Sequence, residues 1–173
     1  MGAAVAVVEA GAAEVKAMGR VLAVVNQKGG VGKSTTAVNL GAYMAVMGKR
    51  VLLVDIDPQG NATSGVGVDK AGLERSMYEV LREEVSMRDV IRATEVPGLD
   101  VAPAHIELAG AEIELVGQLS REFKLRRALE GVREEYDYCI IDSPPSLGLL
   151  TVNGLAAADG VLVPIQCEYY ALE

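Results

Sequence analysis

The sequence predicts a doubly wound α/β fold, a mostly parallel sheet with helices on both faces. Three observations carry that expectation. Aliphatic runs such as Val21–Val25, Val51–Val54 and Cys139–Ile141 are continuous rather than alternating, as strands buried on both faces require. Between the first two lies a 3.6-period pattern from Ser34 to Met47, which makes strand, helix and strand a parallel βαβ unit. Half the 173 residues are hydrophobic but only 4% are aromatic, so Ala, Val, Leu and Ile fill the core. At this length one domain is expected, burying roughly 70% of its unfolded surface.

The first strand runs into Asn26-Gln27-Lys28-Gly29-Gly30-Val31-Gly32-Lys33-Ser34-Thr35. Strand, glycine-rich loop, Gly-Lys-Ser and helix describe a phosphate-binding loop. Glycines let backbone N–H groups curl around an anion, and the helix N-terminus adds unpaired donors and partial positive charge. Lys33 supplies a full charge for terminal phosphates and Ser34 a hydroxyl suited to Mg²⁺. A flexible glycine-rich surface loop is the bland alternative, and the Lys33-Ser34 pair argues against it. A dinucleotide-binding fingerprint is a closer rival, since Gly30-x-Gly32 precedes an acidic residue by about 20 positions. That fingerprint wants a small residue where Thr35 stands and has no use for Lys33-Ser34.

The helix places Ala37, Leu40, Met44 and Met47 on one face, with Gly48 as its C-terminal stop. The strand Val51–Val54 then ends at Asp55-Ile56-Asp57-Pro58-Gln59-Gly60-Asn61. A strand tip faces the same crevice as the loop. There, one carboxylate can organise Mg²⁺ and its waters while the other orients an attacking water. Residues 62–97 read as loop and short helices, Met77–Arg82 capped by Ser76 and Met87–Ala93 capped by Ser86. Pro97-Gly98 turns into a strand at Leu99–Ala102. His105, the single histidine, has no catalytic company and is read as structural. A helix covers about Arg121–Glu130, with a Glu122–Arg126 pair. The strand 136–142 delivers Asp142 to the crevice, as a metal-binding carboxylate strand does. Ser143-Pro144-Pro145-Ser146 forms a rigid loop beyond it. A helix at Leu149–Ala157, a strand at Gly160–Ile165 and the start of a helix at Tyr169 complete the chain.

The motifs resemble a known family. Gln27 occupies a glycine position of the general loop, and Lys28 stands five residues before Lys33. This looks like the deviant Walker A box, KGGxGK[ST], of the ParA/MinD ATPase superfamily. Asp55-Ile56-Asp57-Pro58-Gln59-Gly60-Asn61 resembles the switch segment of chromosome- and plasmid-partitioning ParA proteins, and residues 103–115 resemble their Soj-like branch. The resemblance implies ATP and Mg²⁺ as ligands and slow ATP hydrolysis. It places Lys28, Gly29, Gly30, Val31, Gly32, Lys33, Ser34 and Thr35 around the nucleotide, with Lys28 reaching a partner's site in an ATP-dependent homodimer. A solvated loop lysine is the other reading of Lys28. Asp57 is implied as the water-positioning carboxylate, Ser34 and Asp142 as Mg²⁺ residues, and Asp55 as a Mg²⁺-shell or structural partner. A ParB-type centromere-binding partner and nonspecific DNA follow by the same implication, as does nucleoid association when ATP is bound.

The resemblance runs from about Arg20 to the end, and ParA proteins usually continue further. It therefore implies a C-terminally truncated ATPase domain over 20–173, short of part of its adenine contacts and basic surface. Residues 1–19 are expected to form a flexible or weakly helical leader. A net charge of −8 provides no global field for nucleic acid or anionic lipid. No apolar stretch approaches the ~20 residues that span a bilayer, and the cytoplasm is the default. Cys139 and Cys167 fit neither metal spacing nor disulfide framework and read as buried thiols. They also form no cluster site of the nitrogenase-iron-protein kind. Two alternatives stay open: a MinD-like membrane-positioning ATPase, which needs a C-terminal amphipathic helix, and a nucleotide-binding module without turnover.

Overall fold

A computed structural model describes residues 19–166. The leader as far as residue 18, Cys167 and the helix expected from Tyr169 lie outside the described residues. Six strands form one sheet: β1 (Arg20–Val24), β2 (Val51–Asp55), β3 (Arg92–Ala93), β4 (Leu99–Ala102), β5 (Tyr138–Asp142) and β6 (Gly160–Leu162). Their order is β3-β4-β2-β5-β1-β6. All neighbours are parallel except the β3–β4 pair at one edge.

The central strands are continuous apolar runs because alternate residues serve two different cores. Leu52, Val54, Cys139 and Ile141 pack in one cluster, against Met77, Leu108, Leu125 and Leu150. Val51, Leu53 and Ile140 pack in the other, against Ala37, Ala45 and Ala62. Helices α1 (Lys33–Val46) and α2 (Asn61–Gly65) cover this second face. The first face carries α3 (Met77–Leu81), α4 (Met87–Val90), α5 (Leu108–Glu114), α6 (Lys124–Glu130) and α7 (Leu149–Ala157). Burying a Leu or Ile in either layer contributes roughly 1.5–3 kcal/mol. No described helix is long and apolar enough to cross a membrane.

The helical pattern of α1 is seen with one correction. Ala37, Gly41 and Ala45 are buried with Leu40 and Met44 packed beside them, but Met47 is 79% exposed. Gly48 adopts φ 82° and its N–H donates to the Ala45 carbonyl, so the helix closes before Met47 can turn inward. The Ser76 cap holds: Ser76 Oγ accepts from Tyr78 N–H while Glu79 accepts from Ser76 N–H, a reciprocal cap. The helix expected over Met87–Ala93 instead ends at Val90, because Ile91 turns extended and Arg92-Ala93 pair with Asp100 and Val101. Arg121–Glu130 begins as a 3₁₀ turn and becomes α6 only at Lys124. Its ion pairs run from Lys124 and Arg127 to Glu83, not between Glu122 and Arg126. The last strand stops at Leu162, short of the expected Ile165. Cys139 is buried, and burial pushes its thiol up to about 12. His105 lies 3.5 Å from Glu107.

Candidate functional site

The β1–α1 connection forms a cradle. Gly30 and Gly32 adopt φ 74° and 85°, conformations costly for a residue with a Cβ. A Cβ built on Gly29, Gly30 or Gly32 would meet no atom within 4 Å, so the loop encloses open space rather than packing on protein. The N-terminus of the 14-residue α1 opens into that space, concentrating unpaired N–H donors there. Lys33 is only 7% exposed, and its ammonium donates to the Lys28 carbonyl at 3.1 Å. A full charge thus rests inside the loop, held by one neutral acceptor. Lys28 N–H donates to Asn26 Oδ1 at 2.9 Å. Lys28 borders a separate groove of about 450 Å³ with Leu147, Leu155 and Val163.

Three carboxylates approach the cradle from β2 and β5. Asp55 and Asp142 are register partners at neighbouring strand tips, close enough for the charge of Asp55 to act on Asp142. Asp142 is fully buried, and neither of its oxygens, nor the adjoining Ser143 hydroxyl, makes a hydrogen bond of ordinary geometry, although the Ser34 hydroxyl lies near enough to favour the charged form. Burial, reinforced by Asp55, raises its carboxyl to about 7, while the nearby Ser34 hydroxyl and Lys33 charge pull the other way. Buried oxygens so placed beside a hydroxyl and a phosphate cradle suit a hard cation with its waters. No group of three or more His, Cys, Asp or Glu among the described residues is placed to hold a metal. A Mg²⁺ ion here would therefore take its remaining ligands from water and phosphate, as it usually does.

Asp55 is differently engaged. One of its oxygens accepts both the Thr63 hydroxyl and N–H at 2.7 Å, and the other accepts Asp57 N–H at 3.1 Å. Thr63 Oγ1 in turn accepts Ala104 N–H at 3.0 Å. Of the two roles implied for Asp55, Mg²⁺-shell or structural partner, these bonds serve the structural one: they fasten Asp57 and Thr63, and Thr63 in turn holds Ala104. Burial raises Asp55 to about 6 against the lowering effect of these bonds. Asp57, 5% exposed, accepts Gln59 N–H at 2.9 Å through Oδ1. Gly60 N–H donates to the Asp57 carbonyl at 2.8 Å. Asp57, Gln59 and Asn61 line a pocket of about 330 Å³ together with Gly29, Gly30, Gly32, Lys33, Ser34, Thr35 and Pro145. Phosphate cradle and acidic loop therefore share one cavity, as their motifs implied. Val31, Lys28 and Asp142 do not line it. Gln59 and Pro145 belong to segments the sequence singled out, whereas Thr63 had no signal beyond proximity to the motifs.

Two raised carboxyls set a pH dependence. Their folded values, about 6 for Asp55 and about 7 for Asp142, lie above the ordinary 3.8, so folding favours the neutral forms. That contribution is complete below the unfolded value and is lost as pH rises through the folded ones. In EDTA, urea unfolding is expected to give a free energy about 3 kcal/mol larger near pH 5 than near pH 8. An Asp142→Asn variant should lose most of that slope.

A family model described as an AAA domain matches residues 19–173. The sporulation initiation inhibitor protein Soj of Bacillus subtilis is 64% identical over 156 residues, covering 90% of this chain and 62% of Soj. The chromosome partitioning protein ParA of Myxococcus xanthus is 56% identical over 156 residues, with 90% of this chain and 55% of ParA covered. The chain thus spans 55–62% of the length of these two relatives. A Mycobacterium smegmatis structure described as cobyrinic acid a,c-diamide synthase with bound ATP analog and magnesium is 50% identical. It superposes with a TM-score of 0.84 over 87% of this chain and 61% of its own. A plasmid partition protein from Borrelia burgdorferi is 30% identical, with a TM-score of 0.78 over 89% and 69%. These likenesses agree with the six-stranded doubly wound sheet and its phosphate loop. The chain belongs to the AAA domain family, among relatives that include the Soj and ParA partitioning proteins.

Proposed function

We propose that this chain is the nucleotide-binding part of a ParA-type partitioning ATPase. The observation that carries the reading is one cavity formed by an open glycine cradle, the Lys33 ammonium and the Asp57 loop, with the buried Asp142 carboxylate at the adjoining strand tip. The loop amides and Lys33 hold the ATP phosphates, with Gly29, Gly30, Val31, Gly32 and Thr35 shaping the cradle. Ser34 and Asp142 would hold Mg²⁺, which would supply positive charge against the phosphates. Asp57, fixed through Gln59 N–H, orients the attacking water toward the γ-phosphorus. Asp55 positions that loop through Thr63.

Lys28 completes the site of a second copy, making dimerisation depend on ATP. ParB-type protein and nonspecific DNA are the further partners, and ATP turnover drives segregation. With a net charge of −8, DNA attachment requires a local basic patch and a steep salt dependence. Light scattering behind size exclusion tests the dimer. Mg-ATP is expected to double the mass of the wild type, and Lys28→Ala to weaken that association about 10-fold or more. A Lys28→Ala chain that dimerises as readily as the wild type rules out the cross-subunit role.

A further inference from the structure

We propose that Lys70 is a positioning residue for the Asp57 carboxylate, acting through the main chain of Gln59. Its ammonium donates to the Gln59 carbonyl at 2.6 Å. Among the described residues Lys70 has no ion pair, so its charge is directed at this carbonyl. A hydrogen bond from a cation is roughly twice as strong as a neutral one.

Two successive peptides hold Asp57, and Lys70 is bonded to the second of them. Gln59 N–H donates to Asp57 Oδ1 at 2.9 Å, which sets the carboxylate plane. The Gln59 carbonyl belongs to the peptide whose other end, Gly60 N–H, donates to the Asp57 carbonyl at 2.8 Å. An ammonium on that carbonyl polarises the peptide and strengthens the N–H donor at its far end. The route is also sterically prepared. A Cβ on Gly60 would lie 2.7 Å from Lys70 Cδ and 3.3 Å from the Ala104 carbonyl, and Gly60 adopts φ 61°. Glycine therefore leaves the corridor the lysine stem occupies. At its own end Lys70 opens a 3₁₀ turn, which Asp69 caps by accepting Ala71 N–H at 3.0 Å. Gln59 and Asp57 both line the cavity of about 330 Å³, whereas Lys70 does not. It acts through them.

The inference rests on the reading of Asp57 as the water-orienting group, and the test separates the two. Lys70→Met keeps the stem and removes the charge; Lys70→Arg keeps the charge. Amide exchange by NMR is expected to be about 10-fold faster at Gln59 and Gly60 in Lys70→Met and within about 2-fold of wild type in Lys70→Arg. Where the wild type turns over, kcat for ATP should fall about 5–10-fold in Lys70→Met with KM unchanged, and Lys70→Arg should recover most of it. Unchanged exchange in Lys70→Met overturns the proposal, as does a parallel change in kcat, KM and Tm, which would mark general loosening. Faster exchange with unchanged kcat also overturns it. If Asp57→Ala still hydrolyses ATP, or the wild type does not, the Asp57 reading fails, and exchange alone then decides whether Lys70 holds the loop.

Discussion

Replacing Lys33 with alanine is expected to weaken Mg-ATP binding about 100-fold, or ~2.7 kcal/mol. Lys33 is 7% exposed, and among the described residues its ammonium bonds the Lys28 carbonyl at 3.1 Å. A neutral acceptor compensates an ammonium poorly, so exchanging it for phosphate oxygens is strongly favourable at low effective dielectric. Removing one member of a desolvated charge pair typically costs 2–5 kcal/mol or more, and the remaining loop amides account for the residual affinity. Lys33→Met tests the charge while conserving the stem that fills the buried side of the loop. Titration with a fluorescent ATP analogue measures both. Affinity within about 3-fold of wild type in Lys33→Met would place the phosphates outside the cradle.

Asp57→Ala is expected to leave ATP affinity within about 3-fold and to lower hydrolysis by 100-fold or more, in the range typical of a lost general base. Asp57 sits on the turn facing the cradle, with Oδ1 engaged by Gln59 N–H and its second oxygen open to a water. Asp57→Asn keeps the Gln59 contact and removes the charge, so it should resemble alanine in turnover while preserving the turn. Phosphate release measured beside nucleotide binding distinguishes the outcomes. Equal losses in binding and turnover would make Asp57 a ligand of the nucleotide instead.

Much of this was legible from sequence for one physical reason. Central parallel strands are buried on both faces, so β1, β2 and β5 read as unbroken aliphatic runs, and each run ends where its polar tip reaches the crevice. Gly30 and Gly32 were legible because their backbone conformations exclude most side chains. What escaped reading depends on contacts remote in sequence. The bond from Thr63 to Asp55, and that from the Ala104 amide to Thr63 across 41 residues, had no signal in the sequence. Strand β3 has two residues and no periodicity to detect, and its pairing with β4 is visible only across the Pro97-Gly98 turn. Met47 kept helical spacing, yet the Gly48 cap turned the chain before it could be buried. Lys70 carried no motif, and its position over Gly60 emerges only once the loop is folded.

The central claim is that one cavity both holds Mg-ATP and directs water at its γ-phosphate. Single-turnover phosphate release from γ-labelled ATP, with protein in excess, tests it most directly. The account predicts slow release of label with Mg²⁺, abolished by EDTA and by Asp57→Ala while ATP remains bound. Label that stays on ATP in the wild type, bound stoichiometrically with Mg²⁺ present, would contradict it.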